Sequence, residues 1–430
     1  MPQSIKVVQV SNDTAFGGGT LVPINLHREL LRQNFESILY VKNNIGGDSK
    51  SIIFKIDKPD KINEKFERKY RQFAYPRVLK PYQSTRPEGL EYFSVDWTTY
   101  GRSFARQIPK DSIVNLHWVT PGFFDYKYFF HTVSNRRQKT VWTLHDFNPF
   151  TGGCHYPFDC DRFKKSCGKC PQLGSNIEDD LSLKVLESKI KSIPQAYICE
   201  DLHLVCPSAW IAKQARESKL FKSADIRVIP NGIDLSKYFP LEKSLAKKAL
   251  GIESNKLSLL FVATSTSNKR KGYHALLDVF KGLDSKTKDR IHFLVIGSGD
   301  TSTIDMPNQT NLGSIKSLEL MRLAYSAADV FVLPSLQDNL PTTVIEALAC
   351  GTPTIGFDCG GVSEMITDGV TGYLSETGNV CQMAEQIRHM IENPEKREAM
   401  SKHSQKRAID RYSLERQATS YRSLYEEISK

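Results

Sequence analysis

The chain has 430 residues, 40% hydrophobic and 25% charged, with a formal net charge of +10. That length implies two or three domains, and the composition is that of a globular protein rather than a disordered or fibrous one. No apolar run reaches the roughly 20 residues a membrane helix needs, and the opening MPQSIKVVQV lacks the apolar core of a signal peptide. The expectation is therefore a cytoplasmic protein whose positive balance favours an anionic partner.

Lys6–Val10 opens as a strand. A polar loop ending in Gly17-Gly18-Gly19 leads to a helical pattern at Leu21, Ile24, Leu26, Leu30 and Leu31. Glycines between a strand and a helix let backbone approach a phosphate closely; the alternative is a flexible turn. Ser37–Val41 reads as a second strand. Lys61–Lys80 (KINEKFERKYRQFAYPRVLK) interleaves basic and aromatic residues. This suits a solvated helical face, or a patch for an anionic membrane surface or an acceptor. Nucleic acid is the weakest partner, because no nucleic-acid-binding signature accompanies the charge. Strands resume at Ile113–Trp118 and Val141–Leu144, and both run into histidine: His117 in the first, His145-Asp146 after the second. Ligands of an open α/β sheet bind beyond the carboxyl ends of the strands, so these side chains are functional candidates. For His117 the competing role is a hydrogen-bonded structural histidine.

Four of the nine cysteines follow, Cys154, Cys160, Cys167 and Cys170, with His155 beside the first. Closing on Cys-Gly-Lys-Cys, they can hold a structural zinc tetrahedrally; reduced thiols and disulfides are the alternatives, the last disfavoured by compartment. Ile177–Ile193 is helical. Leu202–Val205 and Ile226–Ile229 are further strands, with Ser208 as a cap for the helix between them. Pro230-Asn231-Gly232-Ile233-Asp234 forces a turn and marks a domain boundary.

A fresh strand–helix series then begins. Leu257–Ala263 is a strand, Thr264–Lys271 a polar loop, and a helix starts near Tyr273. Ile291–Ile296 is a strand ending at Gly297, Glu319–Ala327 a helix, Val330–Leu333 and Thr354–Phe357 strands, and residues 412–430 helical. Strands alternating with helices, twice over, predict an α/β fold of two Rossmann-like parallel-sheet domains facing across a cleft. The expected domains are residues 1–230, with a Cys-rich insertion at about 150–172, and residues 231–411.

The most informative stretch is Pro334–Gly351, PSLQDNLPTTVIEALACG. It follows the strand Val330–Leu333 and contains a helix over Thr342–Ala349. Pro341 suits the first turn of that helix, Asp338 or Asn339 can cap it, and Gly351 can end it. The unpaired N–H groups and positive dipole end of such a helix make an anion site. Asp338 stands just before the site and Glu346 within the helix. A nucleoside-diphosphate sugar, with phosphates in the middle and hydroxyls at both ends, fits this arrangement. A capping Asp and a solvated Glu are the alternative.

These residues resemble the acid-x7-acid motif of the family 4 retaining glycosyltransferases, which have the GT-B architecture. Asp338 stands where those enzymes usually carry Glu, and Asn339-Leu340-Pro341 replaces a glycine-rich turn. TLHDFNPFTGGCHYPFDC is similar to the corresponding segment of bacterial members that build exopolysaccharide and O-antigen, and PNGID resembles the family's interdomain connection. The resemblance implies that Glu346 binds the ribose hydroxyls, while Asp338 and His145 meet the transferred sugar. Asn339, Leu340, Pro341, Thr342 and Thr343 would cradle the phosphates, with Gly18 and Gly19 facing them across the cleft and Gly297 also on the donor side. Asp146 would orient the sugar and, with His117, belong to the acceptor side. Residues 412–430 would form a helix crossing back onto the first domain.

Lys271-Gly272 matches the family's Lys-Gly pair. The Arg usually found before it is missing from Thr264-Ser265-Thr266; Arg270 or Lys269 can replace it, and Arg270 is the expected one. Such cations stabilise a departing diphosphate without a metal ion. The implied activity is retaining, metal-independent, front-face transfer from a nucleoside-diphosphate sugar to a hydroxyl of a glycan or lipid-linked acceptor. The implied setting is surface polysaccharide biosynthesis, peripherally at the inner face of a membrane. No cofactor is needed for catalysis, and a structural zinc at the four cysteines stays one of the alternatives named above. Three other functions compete: a nucleotide-sugar epimerase, a non-catalytic nucleotide-sugar-binding subunit and, last, a basic zinc-bearing nucleic-acid binder.

Overall fold

Short runs of apolar, β-branched residues flanked by polar turns make strands that are buried on both faces, as in Ile113–Leu116 and Val330–Leu333. The computed structural model describes residues 5–13, 21–43, 51–55, 62–120, 122–299 and 306–430. The first sheet contains β1 (Lys6–Asp13), β2 (Glu36–Asn43), β3 (Ser51–Ile53), β4 (Ile113–Leu116), β5 (Thr140–Thr143), β6 (Leu202–Cys206) and β7 (Asp225–Val228). The second contains β8 (Leu257–Ser265), β9 (Ile291–Ser298), β10 (Gln309–Asn311), β11 (Val330–Leu333), β12 (Thr354–Asp358) and β13 (Gly372–Glu376). The strand orders are β3-β2-β1-β4-β5-β6-β7 and β10-β9-β8-β11-β12-β13. The pairings along both sheets are parallel.

Each sheet is Rossmann-like and is wound the same way. The chain builds outward from its first strand, then crosses to that strand's other side and builds outward again. The reversals fall between β1 and β4 and between β8 and β11. Loops leaving the carboxyl ends of two such strands part to opposite faces, and the crevice between them is where open α/β sheets bind ligands.

The chain divides into two compact units, Met1–Ile229 with Ala418–Lys430, and Pro230–Gln417. The first has an aromatic core. Trp142 on β5 is fully buried and packs against Phe124, Tyr126, Phe130 and Phe221, with ring centroids 5.4–6.0 Å apart. The aromatic run around Phe123–Phe130 thus supplies core rather than only a connection. Its helix, Tyr126–Asn135, is capped by Asp125, whose carboxylate accepts from Tyr128 N.

The terminal segment is helical over Leu414–Ile428 and follows a separate helix, Pro394–Tyr412, with Ser413 extended between them. Leu414–Ile428 buries Ala418, Tyr421, Leu424 and Tyr425 in one cluster with Val7, Leu26, Val141 and Val205 of the first unit. Ile233, at the start of the second unit, accepts from Leu414 N and donates to Tyr412 O, each at 2.9 Å.

Candidate active site

In the second unit β8 and β11 are neighbours, with Leu260 opposite Phe331, so their loops emerge side by side. After β8 comes a tight turn, Lys269–Lys271, opened by Asn268, whose side chain accepts from Arg270 N, and closed by Gly272 at φ +71°. A Cβ on residue 272 would stand 1.7 Å from Pro334 O. Only glycine allows this backbone-on-backbone contact, and Leu336 N reinforces it by donating to Arg270 O at 2.8 Å.

The turn delivers two cations to one carboxylate. Arg270 Nη1 lies 3.1 Å from Asp338 Oδ1, and Lys271 Nζ lies 2.7 Å from Oδ2. Arg270 also donates to Gln337 O at 3.0 Å. Gly361 N donates to Asp338 O at 3.0 Å. Desolvation alone would raise the Asp338 pKa, but Lys271 and Arg270 hold it below the usual carboxylate range. Two cations against one anion leave an excess positive charge beside the start of the helix Thr342–Ala349. That start differs from expectation. Pro341 occupies the capping position rather than the first turn, and no side chain caps the helix. Asp338 does not cap because its carboxylate is committed to the cations. The first N–H groups of a helix have no intrahelical acceptor, so an uncapped start beside excess positive charge suits an anion.

Glu346 lies one turn into this helix and is half-buried. Its Oε2 accepts from Tyr325 OH at 2.8 Å, and the Thr342 hydroxyl is a second donor. Burial outweighs these bonds and pushes its pKa up to about 7. Gly297 ends β9 at φ +151°, where a Cβ would meet Ala263 O at 2.2 Å; its part in the structure is close approach of β9 to β8.

In the first unit the matching crevice holds two histidines, with Asp146 also on its lining. His117, after β4, and His145, after β5, stack with ring centroids 5.4 Å apart. His145 Nε2 is 3.1 Å from His117 Nδ1, and His117 Nε2 is 2.8 Å from Gln9 Oε1 on β1. Gln9 Nε2 donates to Tyr425 OH at 3.1 Å, and Asn115 Nδ2 donates to the same hydroxyl at 2.7 Å. With the amide nitrogen of Gln9 used, its oxygen accepts from His117 Nε2–H. His117 Nδ1 must then accept from His145 Nε2–H. Burial keeps both rings uncharged, pushing His145 down to about 4 and His117 well below its ordinary value.

Asp146 is turned to a different network. It accepts from His155 Nδ1 and Asn148 N, both at 2.8 Å, and His155 Nε2 lies 2.8 Å from Ser94 Oγ. These bonds shape the segment after His145, and Asp146 lines the same pocket as His117 and His145. The same segment is held from below by Lys189, fully buried, whose ammonium donates to Asn148 O and Thr151 O. Burial lowers its pKa to about 8. Gly18 and Gly19 lie outside the described residues.

Cys154, Cys160, Cys167 and Cys170 line one cavity and are free thiols. Burial pushes the thiol of Cys154 well up, that of Cys167 to about 12 and that of Cys170 to about 11. Among the described residues no group of three or more His, Cys, Asp or Glu side chains could hold a metal ion. Hydrogen bonds order this loop: Asp180 accepts from Cys170 N and Ser182 N, and Gly168 N donates to Ser182 Oγ.

Sequence reading missed Tyr325, Gln9, Tyr425, His155 and Lys189. Each acts on a group far along the chain, and only His155, adjacent to Cys154, carried a local hint.

Two Rossmann-like units of this strand order, the second with an acid–cation cluster at its switch point, define a GT-B fold. Residues 242–407 match the family described as "Glycosyl transferases group 1". The chain is 30% identical over 199 residues to D-inositol 3-phosphate glycosyltransferase of Geodermatophilus obscurus, covering 42% of this chain and 44% of that protein. It spans about half the length of most of the curated glycosyltransferases it matches. Spore coat protein SA of Bacillus subtilis is 29% identical over 348 residues, covering 68% and 91%. Among solved structures, sucrose-phosphate synthase from Thermosynechococcus elongatus superposes with TM-score 0.65 at 15% identity over 99% of both chains. Anabaena Alr3699/HepE, solved with UDP-glucose, gives 0.64 at 15% over 97% and 99%. The chain is thus a GT-B relative of the group 1 and family 4 glycosyltransferases of bacteria.

Proposed function

We propose that the chain is a retaining glycosyltransferase that moves a sugar from a nucleoside-diphosphate sugar to a hydroxyl of a glycan or lipid-linked acceptor. One observation carries this reading: Asp338, Arg270 and Lys271 gather at an uncapped helix start, one turn before Glu346. In this reading the amides from Leu340 to Thr343 receive the diphosphate. Arg270 and Lys271 exchange part of their hold on Asp338 for the phosphate oxygens as negative charge builds there, the stage at which fixed cations lower the barrier most. Asp338, partly released, accepts a hydroxyl of the sugar. Glu346 accepts the ribose hydroxyls as a carboxylate.

His145, its ring oriented by His117, meets the sugar as a neutral hydrogen-bonding group. No side-chain base is needed if the departing phosphate takes the proton of the attacking hydroxyl. The chain's cations supply the charge that a metal ion supplies in other transferases. The presence of UDP-glucose in the HepE structure favours a uridine donor. Among the described residues no helix is long and apolar enough to cross a membrane; the setting proposed is cytoplasmic, peripheral at the inner face of a membrane, in surface polysaccharide biosynthesis.

A thermal-shift screen of nucleotide sugars tests the reading. One donor should raise Tm, and with an acceptor should yield a glycoside that keeps the donor's anomeric configuration. Free sugar released equally fast without acceptor would replace transfer by epimerisation or hydrolysis, and no stabilisation by any donor would remove the nucleotide site.

A further inference from the structure

The helix Ile62–Ala74 faces the wrong way for a helix on a globular surface. An ordinary surface helix turns its apolar stripe inward and its charges outward. Here Ile62, Phe66, Tyr70 and Phe73, spaced by one helical turn each, are 68, 67, 70 and 61% exposed, and the helix buries no residue fully.

Its contacts with the rest of the unit are polar. Glu64 pairs with Arg106 at 2.6 Å, and Glu67 pairs with Arg71 at 3.0 Å and accepts from Tyr128 OH. Arg71 also reaches the buried carboxylate of Asp125 and lies over the Trp97 and Tyr128 rings. Both acids of the helix are therefore neutralised on its inner side. The charges left outward are basic: Lys65 and Lys69 beside the apolar stripe, then Arg77 and Lys80 in the turns that follow, all exposed. Arg77 lies over the Phe73 ring, 4.0 Å from its centroid, which brings a cation against the apolar stripe.

Apolar rings flanked by unpaired-sign cations match an anionic bilayer surface, where rings enter the acyl boundary and lysines meet the headgroups. We propose that the outward face of Ile62–Ala74, with Arg77 and Lys80, docks the protein on an anionic lipid surface. The inner ion pairs fix the helix so that the rings stay outward without a partner. The inference deepens the membrane setting proposed above and rests on it; donor binding, measured on the same variants, separates the two.

Flotation of the full chain with zwitterionic vesicles, and with vesicles carrying about one-third anionic lipid, tests it. The wild type should float with the anionic vesicles only, and less as salt rises. The triple variant F66S/Y70S/F73S should lose about tenfold or more in partition. K65Q and K69Q should each lose about fivefold. I409S, an exposed apolar residue elsewhere, should change nothing, and all variants should keep the wild-type Tm and donor binding. Equal binding to zwitterionic vesicles, or no binding to either, would overturn the proposal. So would a concentration-dependent dimer that the triple variant dissolves, which would assign the face to a second copy of the chain.

Discussion

The two switch points have the same topology and opposite chemistry. Between β1 and β4 the crevice holds two histidines that burial keeps uncharged, tied through Gln9 to a tyrosine of the last helix. Between β8 and β11 it holds two cations and a carboxylate kept charged by one another. Strand order decides where a ligand sits, and the loop residues decide what can sit there. A hydrogen-bonding crevice with uncharged histidines suits sugar hydroxyls, while a cationic one beside a helix start suits a diphosphate.

The contrast breaks most visibly at Lys271. Lys271→Ala should lower kcat by about a hundredfold or more, while leaving the histidine crevice intact. Steady-state kinetics with saturating donor measures it, and an unchanged kcat would detach the cation from the reaction. At the other crevice, Tyr425→Phe removes the acceptor of two buried amides. The expected cost is about 1–3 kcal/mol by urea unfolding. The freed Gln9 amide can turn over and donate to His117, reversing both ring tautomers, a change that 15N imidazole shifts report. Kinetic effects should then fall more on kcat than on nucleotide affinity.

The smallest effect concerns Glu346. Its folded-state pKa of about 7 lies above the ordinary carboxyl value, so below pH 7 it is mostly protonated and is a weaker acceptor for two ribose hydroxyls. Affinity for the nucleoside-diphosphate sugar should rise severalfold from pH 6 to 8, and Glu346→Gln should flatten that slope in calorimetry. The sign for stability is opposite. The raised pKa favours the folded state below about pH 4.5, and that advantage shrinks as pH climbs to 7.

The fold was legible because its inner strands are runs such as VFVL and IVNL, which have few ways to be buried other than a parallel sheet. Of the four edge strands only β7 was, as Ile226–Ile229. β3, β10 and β13 are short and polar on at least one side, and Gln309–Asn311 has no apolar residue at all. In the candidate site, Pro334–Gly351 identified the helix, its Gly351 end and the two acids. It misassigned the capping, because Asp338 has a partner 67 residues earlier in the chain that no local pattern reveals. The expected substitution of Arg270 for the missing arginine rests on residue type; the glycine that lets its loop touch Pro334 becomes meaningful only with coordinates. Asp146 shows the converse, a conspicuous acid whose partners, Asn148 N and His155, lie close by in the chain.

The last helix carries a temporal consequence. Residues 418–430 complete the first unit's core, yet the whole of Pro230–Gln417 is made before them. At ribosomal speeds of about 5–20 residues per second, the β-sheet that emerged first waits roughly 10–40 s for Tyr421 and Tyr425. During that interval Val7, Val141 and Val205 lack the part of their cluster that Ala418, Tyr421, Leu424 and Tyr425 supply. An uncovered surface on the nascent first unit is therefore created by chain order and closes only once residues 418–430 have been made.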